Sequence, residues 1–222
     1  MHVYDIELRF EKGYIAHPYW PARERLINIT KESGTNRARS TANRLRSLND
    51  YLAAHNISED DYAALERQAN RQFYTWSDRL TPPEMDGHNP DEIVIPSHQL
   101  HGALAQACAL ATASLRIAKA EQLRVVLNVE DLGTGKYQPD GAWERFVTVT
   151  GGTGAKLSNQ RALRSNEYIQ KFTATGRLHF LESQEPERVQ RFLEFCGRDV
   201  GVGASRKMSW GRFMVTGFAG RT

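Results

Sequence analysis

Hydrophobic residues recur along this chain with two periods, and the order in which those periods alternate is the strongest constraint on its fold. His2 to Phe10 sets Tyr4, Ile6, Leu8 and Phe10 against Asp5, Glu7 and Arg9, the two-residue period of a half-buried strand. Leu123 to Val129 is short and β-branched, as a core strand is, and Phe172 to Leu181 and Trp210 to Phe218 read as strands again. Elsewhere the period lengthens. After a short strand at Glu92 to Ile95, Ser97 stands where a helix N-cap belongs, and Leu100, Leu104, Ala107, Cys108, Ala111 and Leu115 form one apolar stripe. Glu187 to Phe195 reads as a second amphipathic helix.

Two stretches interrupt this pattern. From Arg37 to about Leu80 the spacing of Leu45, Leu48, Leu52, Tyr62, Leu65, Ala69 and Phe73 is helical, with Ser58 ahead of Glu59, Asp60 and Asp61 as a cap. We read a helical hairpin there, entered through the Pro-bearing segment 13–21 and left through the Pro-rich loop 81–91. The second stretch, 131–167, holds a Gly- and Pro-bearing loop, a strand at Phe146 to Thr150, and Gly151 to Asn166, which has no apolar period and reads as an exposed, mobile loop. With both set aside, the order is strand, helix, strand, strand, helix, strand. That order implies an α+β, ferredoxin-like (RRM-like) palm of residues 1–21 and 92–222, a thumb-like helical insertion over 22–91 and a second insertion over 131–167, all in one domain. In RRM domains the open face of such a sheet is the RNA platform.

A chain of 222 residues, 40% hydrophobic, can bury one core without disulfides or a structural metal. Cys108 and Cys196 form no C-x-x-C pair, so both read as core residues, and neither a metal nor a cofactor is expected. No apolar run reaches the ~18–20 residues of a membrane span, and MHVYDIELRF lacks the charged-then-apolar order of a secretion signal. The expectation is a cytoplasmic protein without a membrane partner. Net charge is only +3, but 22 of the 29 basic residues are Arg, the side chain that grips phosphate bidentately. Arg37, Arg39, Arg44 and Arg46 fall within ten residues that contain no acid, a candidate phosphate-contacting arm.

The chemistry concentrates in DVGVGASRKMSWGRF, Asp199 to Phe213. Gly201 and Gly203, lacking Cβ atoms, let backbone N–H groups approach a ligand; Ser205, Arg206, Lys207 and Arg212 add donors and positive charge suited to a phosphodiester. Walker spacing fails at GTGK (133–136) and at GGTGAK (151–156), and the glycines of 201–203 precede a strand instead of opening a helix, so nucleotide-binding loops are excluded.

The segment KFTATGRLHFL, the helix ending FCGRDVGVGASRKMSWGRFMV and the block IPSHQLHGALAQA together resemble the CRISPR-associated RAMP superfamily over about 80 residues. The resemblance implies a palm with thumb-like insertions in a crRNA-binding subunit of an effector complex. It favours a non-catalytic backbone subunit with crRNA, complementary target nucleic acid, other CRISPR-associated subunits and copies of itself as partners. A subunit capping the 5′ handle, and a metal-independent endoribonuclease with His17 as acid or base near Tyr19 and Lys31, stay open as alternatives. Arg161, Arg164 and Lys171 border the second insertion as candidate guide-phosphate contacts. His98 and His101 begin a helix and read as facing RNA or solvent; they lack a third metal ligand. Trp143, Trp210 and Phe213 are candidates for base stacking, with core packing favoured for Phe213. Neither Asp50 nor Asp131 aligns with a nuclease position.

Overall fold

The computed structural model describes residues 2–16, 20–35, 40–115, 127–151, 158–180 and 185–221. They form two compact units, one of Met1–Ala16 with Tyr74–Thr222 and one of His17–Phe73. No described helix is long and apolar enough to cross a membrane.

The larger unit is built on β1 (His2–Phe10). It pairs antiparallel along one edge with β9 (Phe172–Phe180) and along the other with β10 (Met214–Arg221). On the far edge of β9 lie β5 (Leu127–Val129) and then β6 (Leu132–Gly133). β4 (Ile93–Ile95) and β3 (Tyr74–Thr75) extend the sheet beyond β6. The two-residue period does what it promised: Tyr4, Ile6, Leu8 and Phe10 are buried, as are Phe172, Ala174, Leu178 and Phe180 on β9. Phe10 stacks on Phe172 at 4.7 Å and Tyr4 on Phe218 at 5.0 Å, locking register as cross-strand aromatic pairs do. Gly176 breaks the alternation because a Cβ there would lie 2.4 Å from the Leu132 side chain.

Helix α5 (Ser97–Leu115) and helix α6 (Pro186–Phe195) complete this core. Leu100, Ala103, Leu104, Ala107 and Cys108 from the first, and Val189, Phe192 and Leu193 from the second, are buried. α6 runs into a π turn, Cys196–Val200, whose Gly197 sits 2.2 Å (as a virtual Cβ) from the Phe213 carbonyl. The final strand begins at Met214, not Trp210, because Ser209 and Gly211 take positive φ and hold residues 209–213 in a turn.

The segment Gly151 to Asn166 departs from expectation. Instead of a loop, β7 (Gly141–Gly151) and β8 (Ser158–Ile169) form a long hairpin; residues 152–157 lie outside the described part. Only the base of β8 meets a third strand, β2 (Tyr14–Ile15), through Tyr168 and Ile169. The strand read at Phe146 to Thr150 lies within β7, and β8 follows in register with it from Gly141 opposite Tyr168 to Gly151 opposite Ser158.

In the smaller unit, α1 (Trp20–Glu32), α2 (Thr41–Ala54) and α3 (Glu59–Asn70) enclose Ala22, Ile29, Leu65 and Ala69. Ser58 caps α3, its Oγ accepting from the Asp61 N–H at 3.0 Å, and Ser40 caps α2 the same way. Helix ends at Asn70, and residues 74–91, read as part of the insertion over 22–91, include β3 and the short α4 (Trp76–Arg79) of the larger unit.

The start of α5 is tied by Asp131, 34 residues on. Its carboxylate accepts from the Ser97 N–H at 2.6 Å and from Arg79 Nε and Nη2 at 2.6 and 3.1 Å, placing negative charge at the positive end of a helix. Burial works to raise its pKa, but Arg79 and the Ser97 N–H outweigh it and hold the carboxyl below its ordinary value. A folded-state pKa below the unfolded one gives stability that is present above about pH 4 and lost as pH falls through the folded value. Asp131→Asn is expected to cost about 1.5–3 kcal/mol at pH 7, with the gap to wild type narrowing in urea melts at pH 3. An equal gap at both pH values would mean that the carboxylate's charge plays no part.

Candidate nucleic-acid interface

The glycine-rich loop leaves the π turn through Gly201, whose N–H donates to the Cys196 carbonyl at 2.8 Å. Val202 N–H then bonds the Gly211 carbonyl at 2.9 Å, Ala204 N–H the Ile15 carbonyl at 2.8 Å, and Gly211 N–H the Gly13 carbonyl at 2.7 Å. These bonds lay the loop against the turn between β1 and β2. Gly203, at φ +75°, would carry a Cβ 2.4 Å from the Tyr14 ring, and Gly211, at φ +72°, one 1.7 Å from the Val202 carbonyl. The expectation that Gly201 and Gly203 open the backbone to a ligand is therefore corrected. Their missing Cβ atoms admit other protein backbone and the buried Tyr14, whose phenol donates to Gln99.

What the loop displays is its tip. Ser205 and Ser209, both left-handed, bracket one 3₁₀ turn of Arg206, Lys207 and Met208. Lys207 and Met208 are exposed, while Ser205 and Arg206 are half-buried. Arg206 Nη1 donates to Gln106 on α5 at 2.9 Å, and the Ser205 Oγ is buried without a partner. Lys12, a residue that no sequence signal marked, donates to the Met208 carbonyl at 2.5 Å and lies 5.5 Å from the centre of the Trp210 ring. Trp210 is only 8% exposed and packs with Tyr168 at 5.3 Å and Trp143 at 6.0 Å. Trp210 and Phe213 are therefore core residues, and Trp143 alone of the three is half-buried. Arg212 donates to the Arg198 carbonyl, and the exposed Arg198 pairs with Asp199 at 2.8 Å.

The remaining candidates are scattered. Lys171 is exposed at φ +51° in the turn between β8 and β9. Arg161 and Arg164 lie on β8, in register with Thr148 and Arg145. Arg44 and Arg46 are exposed on α2, in the other unit; Arg37, Arg39, His17 and Tyr19 fall outside the described residues. His98 is exposed, its ring edge-on to Tyr74 at 6.3 Å, and His101 is half-buried. No three His, Cys, Asp or Glu side chains among the described residues could hold a metal. Burial pushes the Cys108 thiol up to about 11 and raises Cys196 as well, so both are poor nucleophiles.

The open face of the sheet is not built as an RNA platform. β1 contributes Val3, Asp5, Glu7 and Arg9 and β9 contributes Thr173, Thr175, Arg177 and His179, none of them Phe, Tyr or Trp, and the one ring among them, His179, is held by Glu130. Arg177 is engaged by Asp5 at 3.4 Å and Glu130 at 3.8 Å, and His179 Nε2 meets Glu130 at 2.6 Å. A groove of about 670 Å³ crosses this face, lined by Asp5, Glu7, Glu84, Glu92, Glu130 and Asp131 against Arg79 and Arg177. Its charge repels a polyanion.

No protein-family model matches the chain, and no curated protein does. Among solved structures it is similar to a chain in the cryo-EM structure of the Type III-B Cmr-beta bound to cognate target RNA, at a TM-score of 0.50 and 10% identity over 99% of this chain. The likeness is one of fold. This chain spans 60% of the length of that one.

If the loop glycines serve the protein's own packing, Gly211→Ala will lower the thermal midpoint sharply, by about 2 kcal/mol or more of stability. An unchanged melting curve with weakened RNA binding would instead assign Gly211 to a ligand.

Proposed function

We propose that this chain is a crRNA-binding, RAMP-type subunit of a CRISPR effector ribonucleoprotein, in the backbone role. The observation that carries the reading is the antiparallel order β10-β1-β9, with β5 and β6 both paired to the far edge of β9 and α5 and α6 in the connections, an arrangement compatible with a ferredoxin-like palm. A cation-tipped glycine loop joins its second helix to its last strand. The fold likeness to a chain of the Type III-B Cmr-beta bound to cognate target RNA supports the same reading. Lys207, Arg206 and Lys12 form the central phosphate-contacting group, with Ser205, Arg198 and Arg212 beside them; Lys171, Arg161, Arg164, Arg44 and Arg46 contribute elsewhere along the guide, joined by Arg37, Arg39, His98 and His101.

Contacts of this kind act on phosphate and sugar and carry no base sequence. That suits a coat which must accept any guide, leaving selection to base pairing. The subunit repeats along the guide beside other subunits and meets the complementary strand only through that pairing. No catalytic step is assigned.

Arg206→Glu with Lys207→Glu tests the reading. Binding to a single-stranded RNA should weaken at least tenfold at 100 mM salt, and the salt slope should fall by about 1.4, the loss of two single-strand phosphate contacts. The thermal transition should stay in place, because Lys207 is exposed and Arg206 makes one bond, to Gln106. RNA affinity equal to wild type would remove this loop from the interface.

A further inference from the structure

The register of the β7–β8 hairpin sorts its residues between two faces, since directly opposed residues of an antiparallel pair lie on the same side. Trp143 with Asn166 and Arg145 with Arg164 are such pairs, two residues apart along the strands, and so share one face. The hairpin's two acids, Glu144 opposite Ser165 and Glu167 opposite Ala142, fall on the other. Arg145 and Arg164 therefore stand across from each other, their Cβ atoms about 4.5–5.5 Å apart, on a face without a carboxylate. Like charges so placed cost a sheet stability. At the base of the same face Trp143 and Tyr168 pack with Trp210, at 6.0 and 5.3 Å, and Lys12 lies 5.5 Å from the Trp210 ring while its amine reaches the Met208 carbonyl. A line of contacts thus leads from the loop tip through three rings to within two residues of the arginine pair, about 7 Å along the strand.

We propose that single-stranded RNA leaving the loop tip follows this face of the hairpin, with one phosphate held between Arg145 and Arg164. The proposal rests on the RNA-binding reading and deepens it: Arg145, which neither spacing nor charge density marked, becomes a binding residue, and Arg164 acquires a partner. Guanidinium groups fit phosphate oxygens as planar forks, and an anion between two of them turns their mutual repulsion into attraction. Cations beside aromatic rings are the means by which single strands are bound, phosphates on the first and bases on the second. An acidic protein segment would satisfy the arginines but has no base to lay on the half-buried Trp143 beside them, so the residues of this face favour a polynucleotide.

The test follows binding of a fluorescent oligouridylate to the full chain as salt is varied, in wild type, in Arg145→Gln with Arg164→Gln, and in the loop variant Arg206→Glu with Lys207→Glu. The hairpin variant should lose about tenfold or more in affinity at 100 mM salt, and its salt slope should fall by about 0.7, the loss of one single-strand phosphate contact. Its melting curve should match or exceed that of wild type, because an opposed pair of like charges has gone. An oligoglutamate peptide should bind wild type at least tenfold more weakly than the oligouridylate. Unchanged RNA affinity in the hairpin variant, beside a weakened loop variant, would overturn this proposal alone; no RNA binding by wild type would remove the RNA-binding reading along with it. Weaker binding with a lowered melting curve and an unaltered salt slope would make the arginines structural, and oligoglutamate bound as tightly as RNA would make the face a site for acidic protein; either result overturns the proposal. Should the double variant unfold, Arg164→Gln alone replaces it under the same readouts.

Discussion

One strand closes the larger unit. β1, at the start of the chain, hydrogen-bonds on both edges to strands from its last quarter, β9 and β10. Every other part of the unit is a connection hung between those three. Pairing so remote in sequence makes folding depend on a large loop closure, and the entropy of that closure grows only slowly with loop length. A whole helical unit can therefore sit between β2 and β3 without unmaking the sheet. The cost falls on rate more than stability, since non-local pairing folds slowly. The stack of Phe10 on Phe172, directly opposite each other in the register, fixes the pairing where the chain turns toward β2.

The glycine loop depends on that closure too. Its hydrogen bonds to Gly13 and Ile15 exist only because β1 has brought the β1–β2 turn beside β10. Gly203 and Gly211 have no room for a side chain, and their conformational freedom is used to seat the loop. Once seated, the loop holds Arg206 and Lys207 on a single turn between two left-handed serines. Such a turn presents charge at a defined place, which a flexible basic tail would not. Positioning of this kind lowers the ordering cost of binding.

Much of this architecture was legible in the sequence, and the losses have physical causes. β1, β9, α5, α6 and the Ser58 cap carry strong local signals because each buries one face or satisfies its own helix end. Of the β7–β8 hairpin only Phe146 to Thr150 reads as a strand; β8, SNQRALRSNEYI, is mostly polar and carries no apolar alternation to mark it. Helix α1 was missed since among its described side chains Ala22 and Ile29 alone are fully buried, too few to set an apolar stripe in WPARERLINITKE. The tie from Asp131 to Arg79 and Ser97 joins three separate segments, so nothing in any one of them announces it. In 199–213 the structure sets Arg206 and Lys207 at the loop tip and turns Gly203 and Gly211 against the protein's own atoms, a division between displayed cations and packed glycines that residue types alone do not show. Lys12 joined that tip only through folding.

The charge of +3 conceals a division that bears on how a polyanion could approach. The open sheet face sets six carboxylates around one groove, two arginines among them already engaged by acids, while Lys12, Arg198, Arg206 and Lys207 gather at the glycine loop and its supports. Long-range potential would turn a nucleic acid away from the first and toward the second. That partition also explains how the sheet face can lack Phe, Tyr and Trp without losing the proposed role. Base stacking on a sheet suits a protein that splays and reads a few bases, whereas a coat for guides of any sequence is served by fixed cations and hydroxyls along the backbone. The open sheet face is thus occupied by ion pairs, and in the proposed role the guide meets the cations at the edge where α6 hands the chain to β10.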